Sequence, residues 1–233
     1  MIEMMTSGGG NPPVKPGDLL FNTENNTTSW TVPAGVTEIS GIAISGGASG
    51  GGGGGSIGGG GGGGGGMVYF NDYPVKPGDV FSIFVGPVAK YQYQNGESGA
   101  DVVVKKNGVE LFTAAGGQGG IKGGNGGAPG NGYAKGDLAS LSKKVFTSQG
   151  QSGRGGASAG KGGVGGYAPP YDGQTMVNGQ FQSPYGSNST LEVSYGRGGA
   201  GGNNTNSSSN GSRGCVRIFW GGNRSFPTNA GKM

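Results

Sequence analysis

The stretch Gly50-Gly51-Gly52-Gly53-Gly54-Gly55-Ser56-Ile57-Gly58, after which glycine continues unbroken to Gly66, decides the fold. A glycine inside an ordinary helix or strand costs about 0.5–1 kcal/mol relative to alanine, so a run of this length is neither. Two states remain: a disordered tether, or a polyglycine II helix packed against others of its kind. Composition poses the same choice for the whole chain, with 61 glycines and 12 prolines in 233 residues. That share predicts low complexity unless a collagen period is present, and no strict one is.

Two features argue for order. Compact apolar segments recur at Ile39 to Ile44, Val80 to Val85, Val102 to Val104 and Val216 to Trp220, while the net charge is only +4. Disordered chains lack such segments. Glycine also acquires a period of three, as in Gly116-Gly117-Gln118, Gly119-Gly120-Ile121, Gly123-Gly124-Asn125 and Gly126-Gly127-Ala128. A three-residue turn puts each X on one face and leaves two faces bare, so neighbouring helices approach closely enough to pair their backbones. Four struts are expected: 46–66, 116–127, 153–166 and 196–202, with Gly50, Gly66, Gly116, Gly127, Gly155, Gly166 and Gly199 as structural glycines. At about 3.1 Å per residue, a twelve-residue strut spans roughly 37 Å.

The β signals lie between these tracts. Ser29 to Ile39 reads as two extended stretches around a Pro33-Ala34-Gly35 turn, followed by alternating Ile42-Ala43-Ile44. Met67 to Phe70 and Val80 to Val85 read as strands, the second entered through Pro77-Gly78-Asp79. Asn107-Gly108 between Val102–Lys106 and Val109–Phe112 predicts a type I′ hairpin, because both central positions need positive φ. Pro13-Val14-Lys15-Pro16-Gly17-Asp18 recurs at Pro74 to Asp79, which reads as a reused strand-entry turn rather than a duplicated domain.

The fold class that follows is mainly β and irregular: a small antiparallel β part plus a bundle of polyglycine II helices linked by long loops, with almost no α-helix. The expected organisation is an N-terminal extension at 1–26, the glycine-rich domain at 27–228 and a tail at 229–233.

Histidine is absent and Cys215 is the one cysteine, which excludes an internal disulfide, a His/Cys metal site and a histidine-based triad. No cofactor or metal is expected. Met1 to Gly10 has no apolar signal core and no stretch approaches a membrane span, so no membrane insertion and no ordinary export are expected. The sixteen lysines and arginines are scattered, which argues against nucleic acid. No phosphate-cradling Gly-x-x-x-x-Gly-Lys pattern occurs, and the dispersed carboxylates nominate no glycosidase pair. Sequons such as Asn188-Ser189-Thr190 follow from the Asn and Ser content. Cys215, Trp30 and Trp220 lie in strand-like apolar segments and are expected to pack the β part.

Segments 86–101, 128–150 and 167–195 hold most of the tyrosines among Ser, Gly, Asn and Gln, a mixture like that of an antibody paratope. The candidate contact residues are Tyr91, Tyr93, Tyr133, Tyr167, Tyr171, Phe181 and Tyr185. An equal alternative for any one of them is that it roofs a bundle with few side chains of its own.

The order Thr31-Val32-Pro33-Ala34-Gly35-Val36-Thr37, Ile42-Ala43-Ile44 before a glycine tract, Pro77-Gly78-Asp79, Val85-Gly86 and Thr113-Ala114-Ala115-Gly116-Gly117 resembles the glycine-rich domain of bacteriophage tail-fibre proteins and, remotely, of the extracellular region of some animal receptor kinases. The ending Gly214-Cys215-Val216-Arg217-Ile218-Phe219-Trp220-Gly221 with Arg224-Ser225-Phe226-Pro227 is similar to the C-terminus of fibre proteins from phages of marine and cyanobacterial hosts. The resemblance, over residues 27 to 228, implies a receptor-binding tip adhesin without enzymatic activity, located in the virion and made in the host cytoplasm. Its implied partners are a host surface receptor, protein or glycan, other virion fibre subunits, and copies of itself, as in a trimer. Such adhesins carry a distinct N-terminal fibre-attachment domain, and none is expected in residues 1–26. A virion assembly or decoration protein is the alternative function, and a polysaccharide-degrading fibre the third.

Overall fold

The computed structural model describes residues 14–91, 93–141, 144–157, 162–163, 165, 176–177, 180–181, 195–203 and 208–222. Its strands are β1 Gly17–Phe21, β2 Asn26–Thr31, β3 Glu38–Ile44, β4 Met67–Pro74, β5 Val80–Val85, β6 Val102–Lys106, β7 Val109–Ala114, β8 Gly132–Ala134, β9 Val145–Ser148, the short pair β10 Met176–Val177 and β11 Gln180–Phe181, and β12 Cys215–Trp220. A single-turn helix, α1 Gly136–Ala139, follows β8. One five-stranded antiparallel sheet runs β1-β12-β3-β4-β9 and the other β2-β5-β6-β7-β8. The chain is therefore mainly β with almost no helix, as its composition predicts.

The sheets face each other because their alternating residues do. Phe81, Ile83 and Val85 of β5, Val102 and Val104 of β6, and Phe112 and Ala114 of β7 meet Ala43 of β3, Val68, Phe70 and Tyr73 of β4, and Val216 and Ile218 of β12 in one buried core. Gly35, at φ +82°, turns the chain between β2 in one sheet and β3 in the other. Trp30 of β2 stacks on Trp220 of β12 across the sandwich, centroids 5.4 Å apart. The far face of the β3 sheet is buried too, with Ile42, Ile44, Met67, Tyr69 and Cys215 under Phe146 and Tyr195. Burial pushes the Cys215 thiol far above its ordinary range, so it packs as a small apolar residue.

The predicted hairpin forms, with Asn107 at φ +51° and Gly108 at φ +83°. Its asparagine also ties down the preceding turn. Asn107 Oδ1 accepts from the Val80 amide at 2.8 Å and Nδ2 donates to Asp79 Oδ1 at 2.8 Å, while Asp79 Oδ2 accepts from the Lys76 amide at 2.9 Å.

The two copies of the Pro-Gly-Asp entry differ. Gly78 has φ +90°, as a turn requires, whereas Gly17 lies within β1 under the Trp220 ring, where any Cβ would overlap the indole. Asp18 is likewise diverted, binding Arg217 through Oδ1 to Nε at 2.9 Å and Oδ2 to Nη2 at 2.6 Å. The neighbouring β12 overrides the local turn preference. β1 precedes residue 27 and supplies an outer strand of its sheet.

Beyond one end of the sandwich the strands run on as struts. From 45 to 54 the amides step round in threes: Ser45, Ala48, Gly51 and Gly54 donate to Gly66, Gly63, Gly60 and Ile57, Gly46, Ser49 and Gly52 to Ala100, Glu97 and Gln94, and Gly47 and Gly50 to Ser212 and Ser209, all within 2.8–3.1 Å. Three directions at a period of three is the polyglycine II arrangement. The strut 58–66 shows it more fully. Its amides reach Ala157, Arg154 and Gln151, then Gly202, Gly199 and Gly196, then Ile121, Gln118 and Ala115, and its carbonyls accept from 45–54, from Gly127 and Gly130, and from Gly163. Segments surround it on every side, which is why it has no side chains.

The structure differs from the sequence expectation in strut length. The 46–66 tract is two antiparallel struts folded at Gly55, φ +82°, and the 116–127 tract reverses at Gly123, φ +54°. A nine-residue strut spans roughly 28 Å, short of the 37 Å of a twelve-residue one. Two segments outside the four expected tracts are struts as well, 94–100 and 209–212.

Cβ atoms built on the glycines show which faces are bare. At Gly50, Gly66, Gly116, Gly127 and Gly199 a Cβ would overlap the backbone of Ala200, Asn131, Gly99, Gln118 and Ser209 respectively. Gly155 is an exception, its nearest contact being Gly124 O at 3.6 Å, so it occupies an outward position. Gly166 lies outside the described residues.

Candidate functional site: the tyrosine loop at the bundle apex

The molecule has two poles. At the sandwich pole lie the 107–108 hairpin, the 76–79 turn and the paired ends Gly17 and Trp220. At the opposite pole the struts reverse at Gly55 and Gly123, beside the loop 90–95. These three turns touch: Gly52 donates its amide to Gln94 O at 2.8 Å and Gly123 donates to Gly52 O at 3.0 Å.

The loop is pinned rather than merely tethered. Lys90 donates its amide to Glu97 Oε2 at 2.9 Å, Tyr91 donates its amide to Asn210 Oδ1 at 2.7 Å, and Asn95 Oδ1 accepts from the Lys122 amide at 2.9 Å. The Glu97 amide is held by Ser49 Oγ at 2.8 Å. With Lys90, Tyr91, Gln94 and Asn95 anchored, the loop still presents Tyr91 at 51% and Tyr93 at 63% of full exposure. An anchored loop with exposed rings loses little entropy when a partner covers it.

Of the sequence-nominated residues, Tyr91 and Tyr93 come together at this apex. Tyr133 does not join them. On β8 it lies opposite Thr113 of β7, half-exposed at the junction of sandwich and bundle, since Asn131 two residues earlier accepts from the Ala115 amide. Phe181 lies on β11 opposite Met176, and Tyr167, Tyr171 and Tyr185 lie outside the described residues.

Sequence reasoning passed over two apolar residues at the apex. Ile57 at 44% and Ile121 at 47% exposure stand at the strut reversals. The signal was present: an isoleucine in an X position at the end of a glycine strut has no face of the bundle to pack on.

Residues 22–221 match the sequence profile of the glycine-rich domain. The chain belongs to the glycine-rich domain family. The match begins just before β2 and ends just after β12, so every strand of the sandwich except β1, with the struts between them, falls within the familial unit. No curated protein is significantly similar to this glycine-rich chain.

Proposed function

We propose that this glycine-rich protein is a virion structural component, a phage tail-fibre or fibre-tip subunit that binds the host cell surface through tyrosine-bearing loops. The observation that carries the reading is the pinned 90–95 loop, two exposed tyrosines held at the pole farthest from the paired ends Gly17 and Trp220. That polarity suits a tip, because attachment through the sandwich leaves the apex free. The resemblance of the strand and glycine-tract order to fibre proteins supports the same reading. Catalysis is no part of it.

Binding of purified protein to host cells tests it. Tyr93→Ala and Tyr91→Ala are expected to weaken cell binding by about tenfold or more, near 1.4 kcal/mol, with an unchanged melting temperature. Undiminished binding by both variants would remove the apex from the contact and transfer the assignment to Tyr133, Tyr167, Tyr171, Phe181 and Tyr185. Absence of any cell binding by the native protein, with capture of other virion subunits instead, would favour the assembly role.

A further inference from the structure

The sandwich has four outer strands, β1 and β9 in one sheet and β2 and β8 in the other. Three of them are blunted as edges of soluble sheets are: β8 has three residues, β9 has four, and β1 opens on Pro16 and Gly17 and carries the Asp18 carboxylate. The exception is β2. Its six residues, Asn26-Thr27-Thr28-Ser29-Trp30-Thr31, contain no charge, proline or glycine, and among the described residues it pairs only with β5, in unbroken register.

Its free side can be assigned by parity. Val32, just after the strand, donates its amide to Asp79 O on the β5 side at 2.9 Å. Amides alternate along a strand, so those of Thr28 and Trp30 face β5, and those of Thr27, Ser29 and Thr31 face away. The last three side chains are exposed.

We propose that the free edge of β2 pairs antiparallel with β2 of a second copy of this chain. Centring the register on Ser29 sets Ser29 opposite the partner's Ser29 and Thr27 opposite the partner's Thr31, which joins the outward amides and carbonyls of both strands. On the exposed face the cross-strand neighbours are then small hydroxyl residues, a favourable class of pair, on the other face Thr28 meets the partner's Trp30, and no like charges meet. The strand is self-complementary under a two-fold axis, as an isologous interface must be, and the β2-β5-β6-β7-β8 sheets of the two copies become one continuous sheet. The axis points the two bundles in opposite directions, leaving both apices uncovered. The pairing stands independently of the host-binding reading.

The test is light scattering over a wide concentration range together with residue-resolved amide exchange. The native protein is expected to reach twice the monomer mass, with the Thr27, Ser29 and Thr31 amides protected alongside those of Thr28 and Trp30. Ser29→Lys places two ammonium groups opposite each other and is expected to halve the mass and deprotect the three odd-numbered amides, with the melting temperature of the native protein at a dilution where it is monomeric. The milder Thr27→Lys is expected to act in the same direction. A native protein that stays monomeric at every concentration, a dimer that survives both substitutions, or odd-amide protection appearing only on addition of a different protein would each overturn the proposal.

Discussion

The sandwich and the bundle are held together by opposite means. In the sandwich, side chains fill the space between two sheets, and Phe70, Phe81 and Phe112 each bury nearly all of their surface, worth about 1.5–3 kcal/mol apiece. In the bundle, backbone meets backbone, and each amide–carbonyl pair contributes about 0.5–1.5 kcal/mol net. Fixing a residue's backbone costs about 1–2 kcal/mol, and glycine has the most freedom to lose, so hydrogen bonds alone do not hold the struts. The strands supply the difference. Strut 45–54 continues β3 and strut 58–66 leads into β4, so the sandwich has already restrained the ends of both. The lesson is an asymmetry of failure: the sandwich breaks when atoms are removed, and the bundle breaks when atoms are added.

The largest effect expected from that asymmetry is at Gly120. A Cβ there would overlap the Gly60 carbonyl, so Gly120→Val is expected to cost 3 kcal/mol or more, while the outward neighbour change Gln118→Ala stays within about 0.5 kcal/mol. Urea unfolding of both variants checks this. Equal effects would mean that the struts are not close-packed.

The converse is Phe112→Ala, a deletion from the sandwich core expected to cost about 3–5 kcal/mol in the same measurement. Because the struts depend on the strands, amide protection at Gly60 and Gly63 should fall with that of β6. Struts keeping full protection in the destabilised variant would show that the bundle stands alone.

A smaller effect is expected at the hairpin, where Gly108→Ala puts a side chain at φ +83° for about 1 kcal/mol. Thermal unfolding measures it.

Acid should sharpen the comparison most gently. The Lys76 amide and then Asn107 hold the Asp79 carboxyl below its ordinary range, and Lys135 and then Thr113 do the same for Glu110. Folded values below the unfolded ones mean stability present at neutral pH and lost as pH falls through the folded values, below about pH 4. Both groups are on the sandwich and half-buried, with solvent still screening them, so a loss of a few tenths of a kcal/mol, confined to the hairpin and the β7–β8 edge, is expected from amide exchange at falling pH. Asp79→Asn should remove the hairpin's share.

Much of this architecture is legible in the chain. Asn107-Gly108 specified its turn through the positive φ that both positions require, and the apolar segments Val80–Val85 and Val102–Val104 marked two strands, although three consecutive valines give no sign that Val102 and Val104 are the buried pair. The Gly-Gly-X phase of 116–121 stated which residues face out, since only glycine fits where Gly99 and Gly63 carbonyls press on the strut. Local chemistry determined these features.

Other features have no local signal. Nothing within Gly58 to Gly66 marks which carbonyl each amide will find, because residues without side chains encode no register. The register is imposed by the strands at the strut ends, and with it the reversal at Gly55. The same holds for 94–100 and 209–212, drawn into the bundle by the carbonyls and amides that its neighbours left open, with Gly96 and Gly99 the sole trace in the first. The sequence by itself determined which segments could become strands and struts. Which strut lies against which, why Gly17-Asp18 is strand while Gly78-Asp79 is turn, and why Tyr91 and Tyr93 meet at an apex that Tyr133 does not reach were decided by tertiary packing, because backbone hydrogen bonds carry no identity until the strands fix their ends.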